Sequence, residues 1–374
     1  MARCVRTVAS NRSRICRGFE TMDRDTTAEL TRRVQAAAAA RTPLAICGSG
    51  SKAFYGRPLR GEPLRLTDHS GVIDYDPQEL VLTARTGTPL AYLETLLAES
   101  GQHLPFEPPH FGPAATFGGT IACGLAGPAR ASAGPMRDFV LGARVLTGAG
   151  EVLSFGGRVM KNVAGYDVTR LMVGALGTLG VLLEVSLKVL PRAPCQLTLI
   201  FDFNVMQAIE RMNDWALTAL PVSATAWVDG RLHVRLQGSA AALVEARRRM
   251  GGAELLQAEG FWQSIKEHTH PFFHNAQNLW RVIVPAESAV FDAPGRTLIE
   301  WSGAQRWIVP ADEAADLHAT SARAGGFATC FRSVYGRAES FAPLPAALMR
   351  VHCELKRTFD PQAILNPGRL YADL

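Results

Sequence analysis

The chain holds 374 residues, 47% hydrophobic and 20% charged, enough for two or three globular domains with their own cores. No apolar run approaches the roughly 18 residues that would span a bilayer. The formal net charge of +5 sits mostly in residues 1–21, where Arg3, Arg6, Arg12, Arg14 and Arg17 face Glu20 alone. The remainder is near neutral, and no basic stripe interleaved with aromatics marks a nucleic-acid surface. The tail lacks the apolar stretch of a signal peptide. It reads as a disordered segment or a start-site artefact ahead of Met22, with a targeting or RNA-binding arm as the alternative. The seven cysteines, at 4, 16, 47, 123, 195, 330 and 353, include no C-x-x-C pair. That spacing suits neither a zinc site nor an iron–sulfur cluster and points to free thiols in a reducing cytoplasm.

Residues 26–40, TTAELTRRVQAAAAA, predict a helix capped by Asp25 or Thr26. PLAIC (43–47) is a short buried strand that runs into the loop GSGSK (48–52). Residues 64–87 predict three short strands broken at Ser70-Gly71 and Asp76-Pro77. TPLAYLETLLAES (88–100) is an amphipathic helix capped by Thr88, with Pro89 in its first turn and Gly101 closing it. Residues 101–119 hold too many prolines and glycines for a regular element and form a long ordered loop or lid; the small, apolar TIACGLAG (120–127) follows. Residues 141–155 are a hairpin-like pair with the turn GAGE, and VLLEVSLKVL (181–190) is a strand with period-two alternation. PRAP (191–194) is a boundary. Beyond it come a strand (196–203), a helix (205–219), a hairpin across Asp229-Gly230 (222–238) and a helix (239–250) closed by Gly251. This order suggests a split βαβ sandwich with helices on one face. Residues 280–332 repeat the mixture, and 342–360 is a terminal helix followed by PQAILNPGRL (361–370).

Four segments carry the chemistry. The first, GSGSK, joins successive backbone N–H groups in a glycine turn to donors from Ser49, Ser51 and Lys52, which makes a concave anion site. A solvated turn fits the same residues, and neither a Walker A spacing nor a G-x-G-x-x-G fingerprint is present. The second is FGGTIACGLAGP (117–128), where Gly118, Gly119, Gly124 and Gly127 strip side chains from the backbone. Arg137-Asp138, ahead of the next strand, is either an ion pair fixing the loop or a surface salt bridge. The third is GGRVMKNVAGYDVTRLMVGALGTLGVLLEVSLKVLP (156–191). Its glycines permit close approach to a phosphate or a flat ring, or tight turns alone. They precede a strand rather than a helix, which excludes a Rossmann signature. The fourth is FDPQAILNPGRL (359–370), whose Asn366-Pro367-Gly368 is a turn by composition.

The order of the four segments resembles the vanillyl-alcohol-oxidase/PCMH class of FAD-binding flavoproteins. CGSGSK, GGTIACGLAG, KNVAGYD with GALGTLG, and DPQAILNPG match that class's small-residue loop, GGT-type segment, GYD and GTLG stretch, and terminal LNPG. With LPFEPPHFG and the short length, the chain looks most like the FAD-binding E subunits of bacterial glycolate oxidases. The flavin-fold likeness covers about residues 20–193, and the subunit likeness runs to the C-terminus.

The resemblance implies an α+β chain. A disordered tail would occupy 1–21, a two-subdomain PCMH-type FAD-binding domain 22–193, an α+β cap or substrate domain 194–340, and a C-terminal segment 341–374 whose helix returns to the flavin domain. It implies that Gly48, Ser49, Gly50, Ser51 and Lys52 cradle the FAD pyrophosphate and that Gly118, Gly119, Thr120, Gly124 and Gly127 approach the flavin and the phosphates. Gly177, Thr178, Gly180 and Val181 would lie along the adenosine side, with Asn366 near the ring. The implied reaction is hydride transfer from a small 2-hydroxy acid such as glycolate to flavin. Electrons would pass to an iron–sulfur partner subunit beside a second FAD subunit. The implied location is the cytoplasm, with at most peripheral membrane association through the complex.

Several residues depart from the family's pattern. Members that bind flavin covalently often have a histidine in the first loop; here the loop is GSGSK, so non-covalent FAD is expected. The HxGDGN-type segment of related catalytic subunits is missing, LHVRLQGS (232–239) being apolar and basic. Leu176 replaces the acid of the family's Gly-Ser-Glu-Gly run. These departures leave open an accessory flavoprotein that stabilises the complex or relays electrons without oxidising substrate itself. An NADPH-dependent enolpyruvyl reductase is a third option, against which KNVAGYD counts. His110, in PPHFGP, is either a residue near the flavin or a packed loop histidine. Arg332 and Arg337, in FRSVYGR, could hold a carboxylate bidentately or serve a surface or subunit contact. His268, His270 and His274 cluster without a carboxylate partner and are read as a turn or domain contact rather than a metal site. No GxSxG, HExxH or carboxylate dyad argues for a hydrolase.

Overall fold

The structure, a computed structural model, describes residues 23–157, 167–289, 295–311, 316–334 and 340–374. The tail 1–21, the KNVAGY part of the third glycine segment and Arg337 lie outside the described residues. Five strands form one antiparallel sheet in the order Val72–Asp76, Val81–Arg85, Val181–Lys188, Val140–Leu146, Val152–Gly156. Its central strand, Val181–Lys188, departs from the expected alternation: every residue but Lys188 is buried. Both faces are covered, which removes the need for a polar face. On one side Leu182, Val185 and Leu187 pack with the helix Leu90–Glu99 and with Phe117 and Ile121. On the other, Val181 and Leu183 pack with Leu30 and Val34 of the helix Thr27–Ala40 and with Leu44, Leu64, Ile364 and Leu365. Leu90, Leu93 and Leu97 are fully buried, and each contributes about 1.5–3 kcal/mol of burial.

The helix at 90 begins differently from the expectation. Pro89 is its cap residue and no side chain caps it. The Thr88 hydroxyl instead donates to the Arg85 carbonyl at 2.7 Å and accepts from the Gly71 N–H at 2.9 Å, tying the helix entry to the sheet. Within the proline-rich stretch, Thr116 caps a helix over Phe117–Cys123, so the first half of TIACGLAG is helical. Asp138 pairs with Arg170 at 3.3 Å, a half-exposed contact, rather than with its neighbour Arg137.

Eight strands form the second sheet, in the order Ala253–Glu254, Cys195–Asp202, Arg231–Gly238, Val222–Val228, Gly295–Glu300, Gln305–Pro310, Asn278–Ile283, Phe327–Ser333. The two α/β mixtures predicted as a sandwich and its repeat are thus one continuous sheet, joined where Ala226 and Trp227 pair with Glu300 and Ile299. Helices Val205–Ala216 and Ala240–Met250 cover one face through Ala208, Ile209, Met212, Leu243 and Ala246. Opposite them, Leu279, Leu298, Trp307 and Phe331 pack against Tyr55, Leu125 and Leu176 of the first half.

The C-terminal helix runs over Ala346–Phe359, starting after Pro345 because the prolines at 343 and 345 break the predicted longer helix. After it the chain returns to the first strand. The Leu44 N–H donates to the Ile364 carbonyl at 2.7 Å, and the Asn366 N–H to the Leu44 carbonyl at 3.0 Å. Lys356 and Asp360 hold this return. The Lys356 ammonium donates to Asp360 at 2.7 Å and to the carbonyls of Thr178 at 2.8 Å and Leu365 at 2.7 Å. Asp360 in turn accepts from the N–H groups of Ile364 and Leu365.

Candidate cofactor site

Two adjoining clefts, each of about 520 Å³, open where the first strand, the glycine helix, the Gly174–Gly180 loop and the C-terminal return meet. The GSGSK loop lines the second cleft along its whole length. Its turn is closed by the Gly50 carbonyl accepting from Ala53 and the Lys52 carbonyl accepting from Tyr55. The backbone N–H groups of Ser49, Gly50, Ser51 and Lys52 find no acceptor among the described residues. Gly50 has φ +84°, and a Cβ built there meets nothing within 4 Å. The position therefore needs glycine for its backbone and not for lack of room. The Lys52 side chain is buried, donates to the His110 carbonyl at 3.2 Å, and makes no ion pair among the described residues. Burial lowers its pKa. Arg369 also lines this cleft, donating to the carbonyls of Ala53, Tyr55 and Arg57. Among the described residues no carboxylate lines either cleft. N–H groups without an acceptor, beside the Lys52 ammonium and the Arg369 guanidinium, make a site for a diphosphate, so the residues present fit a dinucleotide.

The helix Phe117–Cys123 brings Gly118, Gly119 and Ala122 to the cleft wall. A Cβ on Gly118 would lie 3.0 Å from the Thr86 carbonyl, and one on Gly48 would fall on the Thr116 hydroxyl. The opposite wall is Leu176, Gly177 and Gly180. Leu176 holds φ +51°, a left-handed conformation that costs a branched side chain about 1–2 kcal/mol. Two hydrogen bonds hold it there: its N–H to the Ala122 carbonyl at 2.9 Å, and its carbonyl accepting from Asn366 Nδ2 at 2.6 Å. Asn366 Oδ1 accepts the Ile46 N–H at 2.6 Å. One side chain thus clasps three segments far apart in sequence, and a Cβ on Gly177 would reach within 2.8 Å of its Nδ2.

Of the residues singled out in the sequence, the structure gathers Gly48, Ser49, Gly50, Ser51, Lys52, Gly118, Gly119, Gly177, Gly180 and Asn366 around the clefts. Five others pack against protein. The Thr120 hydroxyl donates to the Thr116 carbonyl and Thr178 to that of Ala175. Gly124 closes the glycine helix against Gly174, Gly127 sits against the Glu107 carbonyl, and Val181 is in the core. His110 stands behind Lys52, with Nε2 2.9 Å from Glu94 and its N–H on Glu267, and lines neither cleft. Arg332 lies 4.4 Å above the Phe54 ring, also away from the clefts. His268, His270 and His274 do not converge: His268 stacks on Phe273 at 4.0 Å, and His270 Nδ1 accepts the Phe272 N–H. Ile46, Thr116, Ala122 and Arg369 line the site without having been singled out. Thr116, a capping residue just before a glycine pair, and Arg369, just after NPG, carried a positional signal.

This mixed fold, with its glycine-walled cleft, is that of an FAD-binding flavoprotein, and residues 24–156 match the FAD binding domain family. The solved structure of alkyldihydroxyacetonephosphate synthase shares the fold, with a TM-score of 0.63 over 92% of this chain and 75% of that one at 14% identity. Glycolate oxidase subunit GlcE of Escherichia coli (strain K12) is 48% identical over 345 residues, covering 92% of this chain and 97% of that protein. The chain belongs to that family. Glycolate oxidase subunit GlcD of Bacillus subtilis (strain 168) is 30% identical over 50% of this chain and 40% of its own length. The D-lactate dehydrogenase of Anaerostipes hadrus is 30% identical over 39% and 30%.

Proposed function

We propose that this chain is the FAD-carrying subunit of a multi-subunit glycolate or 2-hydroxy-acid oxidase. In this reading hydride passes from substrate to flavin, and electrons leave to an iron–sulfur partner subunit. The observation that carries the reading is the GSGSK cradle, with four N–H groups that find no acceptor among the described residues and Lys52 beside a cleft that no described carboxylate lines. Gly48–Lys52 would hold the pyrophosphate, the glycine helix and the Leu176–Gly180 wall would flank the cofactor, and Asn366 would lock the walls together. The flavin chemistry, hydride acceptance and electron release, belongs to the cofactor; the chain orients it and excludes water. In this reading FAD is held non-covalently, the first loop being GSGSK without a histidine. The chain divides into a flavin domain over 22–193, a cap domain over 194–340 and a returning segment over 341–374. No helix among the described residues is long and apolar enough to cross a membrane, and any membrane contact runs through partners of a cytoplasmic complex.

A second reading, an accessory flavoprotein that does not oxidise substrate, draws support from residues 232–239. Leu232, Val234 and Leu236 sit in the cap core, and His233 is stacked on Phe261 at 3.9 Å. One titration separates the readings. The full chain is purified, its visible spectrum recorded, and glycolate or D-lactate added without oxygen. Bleaching of the flavin band supports substrate oxidation by this chain, whereas a flavin that stays oxidised supports the accessory role. Failure to hold flavin even after reconstitution with FAD would overturn both. Acid precipitation should release the flavin to the supernatant.

A further inference from the structure

One loop joins the cofactor cradle to the eight-stranded half of the molecule. Residues 107–111, EPPHF, cross between them with Glu107 at φ +46° and Phe111 at φ +49°. Residues with side chains rarely adopt that left-handed region, so contacts from outside hold the loop in it. Arg235, on the strand Arg231–Gly238, approaches Glu107 at 2.8 Å. Glu267, the residue that ends the helix Glu259–Lys266, reaches into the loop from the same half. Its carboxylate accepts the His110 N–H at 3.0 Å and the Phe111 N–H at 2.9 Å. That helix is itself anchored: the Trp262 indole donates to the Thr198 hydroxyl at 2.9 Å, and Ile265 is buried in the core between the halves.

The peptide between His110 and Phe111 carries two contacts of opposite sense. Its N–H goes to Glu267, and its C=O accepts Lys52 Nζ at 3.2 Å. A carboxylate on one end of a peptide and an ammonium on the other polarise it in the same direction, which strengthens both bonds. An ammonium has three donors. The other two on Lys52 find no acceptor among the described residues, and the side chain lines the second cleft.

We propose that Glu267 is a positioning residue for the cofactor, one that acts through the His110–Phe111 peptide to fix where the Lys52 ammonium stands and that supplies the negative charge behind it. The proposal rests on the flavin reading and names a part of its site that lies outside the cleft. The groups facing Lys52 are Cys123 on the glycine helix, Glu94 on the helix Leu90–Glu99, and Glu267. Arg369 and Cys47 line the same cleft. Burial pulls the Lys52 pKa down, and Cys123, Glu267 and Glu94 act against that. Burial also pushes the Cys123 thiol up to about 11, so below that pH it is neutral and the two carboxylates are the charges that remain. Glu267 is the more sheltered, its side chain 14% exposed against 31% for Glu94, so solvent screens it less. A pyrophosphate beside Lys52 favours the charged ammonium. FAD affinity is therefore fully present below the Lys52 range and is lost as pH rises through it.

Flavin fluorescence titrations of the full chain with FAD, between pH 7 and pH 10, test this. Wild-type affinity should fall with rising pH, approaching about tenfold per unit where one proton is taken up per FAD. Lys52→Arg keeps its charge throughout and should lose that fall, which also controls for titration of the flavin itself. Lys52→Met should bind more weakly at pH 7 and show no fall either. Glu267→Gln keeps an acceptor but not the charge, and should move the fall to lower pH by about half a unit or more. Glu94→Gln should move it less. Glu267→Ala, which strands two N–H groups, should weaken binding at pH 7 by about tenfold, with Glu267→Gln recovering part of the loss. A merely structural glutamate would change the melting temperature and leave the pH profile in place. If the alanine variant does not fold, the glutamine profile decides. A wild type whose affinity is flat across the range, or a Glu267→Gln profile that overlays the wild type, would overturn the proposal while leaving the flavin reading standing. A wild type that takes up no FAD at any pH would overturn both.

Discussion

Asn366 is the residue on which the cofactor clefts most depend. It is buried, and its two side-chain heteroatoms serve two other segments: Oδ1 takes the Ile46 N–H and Nδ2 serves the Leu176 carbonyl, both at 2.6 Å. Asn366→Ala leaves both backbone groups without a partner, at about 1–3 kcal/mol each when dry. Water reaches the clefts in the absence of cofactor, so the lower end applies, about 2 kcal/mol in total. The residue also holds φ +42°. Asparagine tolerates that conformation, whereas alanine adds about 1 kcal/mol. The sum, about 3 kcal/mol, corresponds to a fall of about 6–12 °C in Tm for domains of this size. Asn366→Gly deletes the same hydrogen bonds but relieves the φ, so it should melt slightly above the alanine variant. Asn366→Asp keeps the acceptor for Ile46 yet turns a carboxylate towards the Leu176 carbonyl at the cleft wall. It should weaken FAD binding beyond what its stability loss explains. Thermal melts of the apo chain and flavin fluorescence titrations measure the two quantities separately. An aspartate variant that binds FAD like the wild type would refute the claim that this side chain faces the anionic cofactor. An alanine variant melting within 1 °C of wild type would refute the clasp.

Gly50→Glu should abolish FAD retention, because the added side chain enters open space beside the free N–H groups and Lys52. At about 5 Å and an effective dielectric of about 20, each added like-charge pair costs about 3 kcal/mol; Gly50→Ala, which carries only the φ strain, should retain flavin, and a glutamate variant that also does so would sink the pyrophosphate assignment. Glu300 is raised from 4.5 in the unfolded chain to about 7, so the folded chain binds the extra proton and stability falls as pH rises from about 4.5 through 7. The loss is about 3 kcal/mol, and urea unfolding of wild type against Glu300→Gln at pH 5 and pH 8 should show it as a difference that vanishes in the variant. Lys356→Met strands the buried Asp360 carboxylate and two carbonyls, and should destabilise by about 3–5 kcal/mol. Lys356→Met with Asp360→Asn should recover part of that loss in the same melts, and no recovery would mean the pair does not act as a unit.

The pattern of elements was legible because it rests on local signals. The hairpin turns, the helix over 27–40 and the glycine-bearing turn at 48–52 all stand where turn chemistry and periodicity put them. The less legible parts share one physical reason. A glycine in the sequence states that something comes close, without saying what. At Gly127 the close neighbour is the Glu107 carbonyl, and at Gly124 it is Gly174, so both serve protein packing. At Gly50 nothing in the chain comes close. The central strand read as alternating because Glu184 and Ser186 are polar; in the fold Glu184 pairs with Arg144 and Ser186 bonds Thr83, so both faces stay buried. The cluster beneath the glycine segment, where His268, Arg281, Glu300 and Trp307 face one small cavity, had no sequence signature at all. Tyr55, His268, Arg281, Glu300 and Trp307 meet only through sheet register and the packing of the two halves, which no local pattern encodes.

The same geometry links cofactor binding to the C-terminal return. The clefts are closed by residue 366, yet their floor is built from residues 46 to 52 and their wall from 174 to 180. Bringing these together costs loop-closure entropy that the free chain keeps. Lys356, Asp360 and Asn366 offset it through hydrogen bonds that also fix the Thr178 and Leu176 carbonyls. A cofactor that binds only the closed arrangement must therefore stabilise the return, by about 2.7 kcal/mol at a hundredfold excess over Kd. Reciprocally, any surface that steadies the exposed side of the Ala346–Phe359 helix, where Leu348 and Val351 face solvent, tightens flavin binding without touching the flavin. A subunit of a larger assembly that holds its cofactor poorly alone and well in the complex needs no contact between partner and cofactor to behave that way.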